Sequence, residues 1–557
     1  MNTWIPFVLI LGMAVAMAWP LSRYMQWAFD SQSPSPFIRR WHHWLDLGLG
    51  RIDLSTTGTW SGYCRSMLVF NYGMFVLVYA VLSFQDYLPL NPDKKVGLEP
   101  TLAFNTAISF VTNTNLQHYS GEVALSYFSQ LSLMWLQFVS AATGLAVLVA
   151  VARVMAGAKI MGDFYRDVAT ASFLVLLPLA IVVALCLAVS GVPMALAGAV
   201  EATTLEGATQ TIARGPVAAF VAIKQLGTNG GGFFGTNSTH PLENPTFWTN
   251  VISNFSIILI PMASVWMFGR VTGRLRHSHA VFGVMLILFV GFIAYASICE
   301  QQSTKALDSL PIASSSNLEG KELRFGTLAG PVWAVSTTST SNGSVNAMHD
   351  SLNPMTSIAP LTGMWLNVEF GGVGVGMLNM FMFIVMSVFL AGMMVGRTPE
   401  YLARKIEAFE IKLALLTILS HPLFILGGTA LFAATAWGRG TISNPGSHGL
   451  TQIFYEFSSA AANNGSGFEG LADNTPPWNI ATGLVMLFAR FIPIIAPLAI
   501  AGSLSSKRAT PEGAGTFRTD SWLFCVILLG TVLIVGALLF LPLAVLGPIA
   551  EQLQTAQ

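Results

Sequence analysis

The chain has 557 residues, of which 53% are hydrophobic and only 10% charged, a balance that does not describe a water-soluble domain. Its 27 Lys and Arg cancel its 27 Asp and Glu, and no basic run offers a surface for phosphates, so nucleic acid is excluded as a partner. What remains is a protein that lives in a bilayer.

In chain order, Met1 to Trp19 is apolar without a basic leader and is followed by Arg23, Arg39 and Arg40, which reads as a retained membrane helix. Further runs long enough to cross ~30 Å of hydrocarbon lie near 61–84, 124–152, 168–190, 249–269, 279–299, 370–396, 412–436, 478–503 and 522–546. Ten spans result. The four cysteines, Cys64, Cys186, Cys299 and Cys525, are scattered without ligand spacing and read as small apolar fillers.

Positive loops stay on the cytoplasmic side. With the N-terminus outside, the inside loops collect eighteen of the 27 Lys and Arg, among them Arg51, Arg153, Arg274, Arg397 and Lys507; eight fall outside and Arg490 lies within a span. This orientation sends four polar triplets into segments that leave the outer surface and return to it. They are Thr112-Asn113-Thr114, Thr228-Asn229-Gly230, Ser341-Asn342-Gly343 and Asn463-Asn464-Gly465, with central Asn residues 116, 113 and 122 positions apart. One unit of roughly 115 residues has been used four times.

Stretches of about ten residues precede the triplets: Leu102 to Val111, Pro216 to Leu226, Pro331 to Thr340 and Leu450 to Ala461. Ten helical residues reach ~15 Å, half a bilayer. A helix ending at mid-depth aims the negative end of its dipole at the turning point, which favours a cation there. The expected fold is an all-α polytopic membrane protein of about ten transmembrane helices. Four pseudo-fourfold repeats of helix, short helix, filter and helix surround a central cation pore. The boundaries are a first helix and cytoplasmic loop over 1–60, repeats over 61–155, 156–276, 277–405 and 406–508, and a last helix over 509–557.

A dehydrated potassium ion needs a cage of oxygens, and backbone carbonyls supply it where no side chain blocks their convergence. The run Gly227-Thr228-Asn229-Gly230-Gly231-Gly232 is the strongest instance. None of the triplets contains a carboxylate, so a large monovalent cation fits better than a divalent one. The same residues are ordinary turn formers, but four at matched spacing behind half-length helices are not explained as turns. Beyond each triplet an acid follows, Glu122, Glu243, Asp350, and then Glu469 with Asp473, expected with Gln117 to line an outer vestibule that concentrates cations.

Two features stand off the symmetry. As one helix, Met355 to Val395 would run ~60 Å, so it must break, at Gly371-Gly372-Val373-Gly374-Val375-Gly376, where glycines allow a movable gate beneath the third filter. Arg490 sits inside a span, where an unpaired charge costs ~3 kcal/mol or more; Glu369, beside the glycine run, is a candidate partner, as is an acid on another subunit.

These residues, with Tyr87-Leu88-Pro89-Leu90-Asn91-Pro92, Ser238-Thr239-His240-Pro241-Leu242-Glu243-Asn244-Pro245, Asn317-Leu318-Glu319-Gly320-Lys321-Glu322, Ala347-Met348-His349-Asp350-Ser351 and Gly396-Arg397-Thr398-Pro399-Glu400-Tyr401-Leu402, resemble the KdpA family, the potassium-binding subunits of the bacterial Kdp pump. The resemblance covers essentially the whole chain. It implies an inner-membrane protein that takes K+ from outside and works beside a P-type ATPase subunit, KdpB, with KdpC and a small single-span subunit, KdpF. It also implies that K+ leaves sideways through the membrane, with Gly371, Gly372 and Arg490 at that lower pathway. Leu116, Ala462 and Asn342 depart from residues common in the family; they bear on affinity and leave the backbone oxygens in place.

The chain carries no Asp-Lys-Thr-Gly phosphorylation string and no nucleotide loop, so no nucleotide cofactor is expected and ATP must be used by a partner. A stand-alone or ion-coupled potassium channel is the alternative. A membrane enzyme using His118 with Glu122, or His240, His349 and His448, as metal ligands is disfavoured, because these histidines lie in separate loops.

Overall fold

The computed structural model describes residues 4–48, 58–302, 317–396, 398–508 and 517–555. Arg51 and Arg397, counted above among the inside charges, lie outside them. Among the described residues ten helices are long and apolar enough to span: Trp4–Ala28, Trp60–Ser83, Tyr127–Met155, Phe164–Val189, Phe247–Val271, Leu275–Glu300, Val375–Val395, Ala408–Ala434, Pro476–Ser506 and Trp522–Gln554. The protein is an all-α polytopic membrane protein.

Four shorter helices stand between pairs of spans: Pro100–Val111, Val217–Leu226, Ala329–Ser339 and Ser447–Ala462. Local chemistry starts and stops them. Glu99 caps the first by accepting from the Leu102 N–H, and Pro100 follows at a position where a missing N–H costs nothing. The fourth ends on Asn463 in the left-handed conformation. It begins earlier than the apolar run indicates, because Ser447 to Gly449 add nearly a turn at its outer end.

In each repeat the span before the short helix is the more exposed and the span after it the more buried. Trp60–Ser83 is 22% buried against 89% for Tyr127–Met155, and the other three pairs follow the same direction. An inner set of helices, of which Tyr127–Met155 is rich in Ala, Gly and Ser, therefore surrounds the short helices, and an outer set faces lipid. Trp4–Ala28 packs along Phe247–Val271 as an addition at the periphery.

The span expected to break does so. Pro354–Leu366 and Val375–Val395 are separate helices, and residues 367–374 between them take left-handed angles at Asn367, Phe370, Gly371, Gly372 and Gly374. The break begins four residues before the glycine run, at Asn367. The linker is tied to its own short helix and to the preceding repeat, since the Gly371 N–H donates to Ser339 O at 2.8 Å and the Val373 N–H to the Thr228 hydroxyl at 3.1 Å. A side chain on Gly374 would collide with the backbone of Gly144, so the approach is close.

Among the described residues, several smaller elements were not legible as spans or short helices. Pro36–Gly48 is a surface helix with one buried residue, Ile38. An antiparallel hairpin joins Val200–Thr203 to Thr209–Ile212, and a two-residue one joins Glu400–Tyr401 to Arg404–Lys405.

Candidate functional site

The segment after each short helix repeats one backbone pattern. Left-handed residues occur in pairs two positions apart: Asn113 and Asn115, Thr228 and Gly230, Ser341 and Gly343, Asn463 and Gly465. Alternating left- and right-handed residues turns successive N–H groups to one side of the chain and the carbonyls to the other. The N–H groups of Thr114 and Asn115 both reach Ser109 O, at 2.9 and 3.1 Å, and those of Asn229 and Gly230 both reach Lys224 O, at 2.9 and 3.0 Å. The Asn342 N–H meets Thr337 O at 2.8 Å and the Asn464 N–H meets Ser459 O at 2.9 Å. Thr114, Asn229, Asn342 and Asn464 thus each bond to the carbonyl five residues back.

This register corrects one alignment. Thr114, not Asn113, is the counterpart of Asn229, Asn342 and Asn464, and Asn115 occupies the position held elsewhere by Gly230, Gly343 and Gly465. Asparagine tolerates the left-handed region better than most side chains, which lets it stand where glycine otherwise does. Thr112 belongs to the end of its short helix, its hydroxyl accepted by Ile108 O at 2.9 Å.

The four segments close into a ring. A side chain on Gly230 would strike Asn342 O, one on Gly343 would strike Asn464 O, and one on Gly465 would strike Thr114 O. Gly231 lies against Asn115, and the Asn113 amide donates to Gly227 O and Thr228 O at 3.2 and 2.9 Å, which joins first to second. Asn463 donates to the Thr114 hydroxyl at 2.9 Å, and Asn342 and Asn464 donate to Lys224 O and Thr337 O in the preceding repeat. Side chains thus brace the ring from behind. Among the described residues no hydrogen bond reaches the carbonyl oxygens of Thr114, Asn229, Asn342 or Asn464. All four residues are buried.

Beneath the ring lies a cavity of about 60 Å³, bounded above by Asn113, Thr228, Ser341 and Asn463, one from each segment. Asn367, Gly371, Gly372 and Arg490 line its side, and it runs outward to Val535 and Phe540 on the last span. Arg490 is 6% exposed and donates to Ser140 O at 3.2 Å. The expected pairing with Glu369 is not made: Arg490 donates to Ser140 O instead, and Glu369 is not among the residues lining the cavity, whereas Asn367 and Gly371 are. Glu369 is fully buried, and neither carboxylate oxygen has a hydrogen-bond partner among the described residues.

Above the ring an outer pocket is lined by Gln117, Gly343, Gly465, Glu469 and Asp473. Gln117 clamps the second segment, accepting from the Gly232 N–H at 2.7 Å and donating to Gly232 O at 3.0 Å. The other acids expected at this mouth are elsewhere. Glu243 is fully buried and paired with Lys224 of the second short helix, which also donates to Asn237 at 2.7 Å. A lysine at that depth needs a counter-charge, and Glu243 supplies it rather than facing water. Glu122 accepts from the Gly235 N–H at 2.8 Å, and Asp350 is held by His448 and Gln452 in a neighbouring pocket.

His448 lies between Asp350 and Glu551, at 3.1 and 2.9 Å. Burial works against its charge, but the hydrogen bonds to the two carboxylates prevail and lift its pKa to about 10. Because that value lies above the ordinary 6.5, the stabilisation is complete below about pH 6.5 and is lost as pH rises through 10. Thermal melts in detergent are expected to show stability falling across this window, and His448→Gln to flatten the slope.

A family model described as "KdpA: Potassium-transporting ATPase A subunit" matches residues 8–553. Among solved structures, the potassium transporter TrkH from Vibrio parahaemolyticus aligns with a TM-score of 0.51 at 13% identity, over 87% of this chain and 96% of that one, a likeness of fold. The ten spans, the four short helices and the family match across nearly the full length lead to one conclusion: the chain is a multi-pass potassium-transport protein and belongs to the KdpA family of potassium-transporting ATPase A subunits.

Proposed function

We propose that the ring is a selectivity filter for extracytoplasmic K+, which passes the ion into a membrane complex for high-affinity uptake driven by a partner P-type ATPase subunit. The observation that carries this is the set of four buried carbonyls in one register, free of hydrogen-bond donors and pointed away from the N–H groups that anchor them. Such oxygens substitute for the water shell of a large monovalent cation. The C-terminal ends of four short helices abut the ring, and their partial negative charge favours a cation there.

The filter comprises Asn113, Thr114 and Asn115, Thr228 to Gly231, Ser341 to Gly343, and Asn463 to Gly465, with 61–155, 156–276, 277–405 and 406–508 as the four repeats. The outer pocket faces the extracytoplasmic side of the bacterial inner membrane, and the N-terminus lies on that side. The ion leaves through the cavity that extends sideways beneath the ring. Partner subunits of the KdpB, KdpC and KdpF types complete the assembly, and the ATPase partner sits where that cavity reaches the last span.

Arg490 acts as a charged stop in this route. Its guanidinium, fixed on the cavity wall, repels a cation descending from the ring and favours the sideways path. Arg490→Gln is expected to leave the half-saturating K+ concentration within about twofold while lowering the K+ moved per ATP; unchanged transport and ATP use would remove this role. The larger reading is tested by co-expressing the chain with its ATPase partner and measuring K+-stimulated ATP hydrolysis in mild detergent. Hydrolysis indifferent to K+, or steady K+ current from the lone chain in liposomes, would replace the pump-subunit reading with that of a free channel.

A further inference from the structure

We propose that His118, Glu456 and Asp473 form a binding site for one divalent cation of the zinc class at the outer rim of the ring. The three come from separate stretches: His118 follows the first segment, Glu456 lies on the fourth short helix, and Asp473 lies in the loop after the fourth segment. The fold brings their ligand atoms within 4.8 Å of one another.

The histidine is set up as a ligand. Its Nδ1 is 2.6 Å from Asn479 Oδ1, and the Asn479 amide nitrogen is turned toward the Thr101 hydroxyl at 3.2 Å and Asn474 Oδ1 at 3.4 Å. With Asn479 presenting oxygen, Nδ1 carries the proton and a neutral ring keeps its lone pair on Nε2. Metal-binding histidines are oriented by the same kind of partner. Nε2 faces Glu456 Oε1 at 3.1 Å, and two ligands bound at about 2.0–2.1 Å to one tetrahedral ion lie roughly 3.3–3.4 Å apart, so a small outward shift of the carboxylate would admit the ion.

Without a proton or a cation between them, that nitrogen lone pair and that carboxylate oxygen would repel. The second oxygen, Glu456 Oε2, is buried and has no hydrogen-bond partner among the described residues. Gly467 backs it, leaving room where a side chain's Cβ would stand 3.4 Å away. An unpartnered carboxylate oxygen on a residue with 0% exposure is costly unless something positive is placed beside it. Asp473 is half-buried and lines the outer pocket, which supplies the entry path and leaves a position for water.

One imidazole and two carboxylates suit zinc-class ions; Mg2+ and Ca2+ prefer six or more oxygens and find too few here. A bound dication would hold the exit of the first segment against the fourth short helix and add positive charge at the mouth. Under the filter reading proposed above, it would hinder K+ entry.

The test is titration of the full chain, purified without a polyhistidine tag, with Zn2+ by isothermal calorimetry in millimolar Mg2+. One saturable Zn2+ per chain is expected, weakened by about 100-fold in His118→Asn and about 10-fold in Asn479→Leu. Asp473→Asn, at a half-exposed position, is expected to weaken binding with an unchanged melting temperature, which separates ligand loss from misfolding. Absence of saturable binding in the parent chain, or parental affinity in folded Asp473→Asn and His118→Asn, overturns the site. Binding does not depend on the filter reading, so Zn2+ that binds with no effect on K+ uptake would count against the filter reading alone.

Discussion

Gly343→Asp is expected to raise the K+ concentration for half-maximal uptake by about tenfold or more, with maximal rate changing less. Gly343 has a φ of +92°, and any side chain there would run into Asn464 O of the next segment. A left-handed non-glycine residue costs roughly 1–2 kcal/mol, and each 1.4 kcal/mol is a factor of about ten in affinity. The displaced atom is one of the four donor-free carbonyls, so the disturbance falls on the proposed ion cage. Uptake by cells lacking other K+ importers reads the effect directly. An unchanged half-saturation in normally expressed protein would separate this ring from ion binding.

Glu243→Ala is expected to remove most of the folded protein from the membrane. It strands Lys224 as a buried unpaired charge, and breaking such a pair costs about 3–5 kcal/mol, comparable with the margin that keeps many proteins folded. The consequence spreads because the Lys224 carbonyl anchors Asn229, Gly230 and the Asn342 amide. The double change Lys224→Met with Glu243→Leu is expected to recover much of the yield, since two apolar groups of similar volume often replace a buried pair at little cost. Fluorescence-detected size exclusion in detergent measures both. Full yield of the single variant would show that the pair carries little stability.

The spans and short helices were legible because membrane burial demands uninterrupted apolar length, and the short helices are half that length. The break after Leu366 was legible because no membrane accommodates a helix that long and a glycine run marked where it gives way. The register of the first segment was not, since Asn115 fills a position that glycine holds three times and the eye aligns Asn113 instead. Glu456 went unnoticed because it lies on an apolar helix 338 positions from His118, and only the closing of the ring joins them. Glu243 sat among polar loop residues and read as solvent-facing. A usable signal was present nonetheless: Lys224, inside a short apolar helix, required an acid nearby, and Glu243 follows 19 residues later.

Because one polypeptide supplies every corner of this ring, a single codon change alters one quarter of it, whereas in an assembly of identical chains the same change strikes all corners together. Asn115, at the position that glycine holds in the other three segments, is a corner that differs on its own. Selection can therefore tune such a ring in small steps, and equivalent substitutions at different corners should yield a graded series of transporters instead of one shared defect.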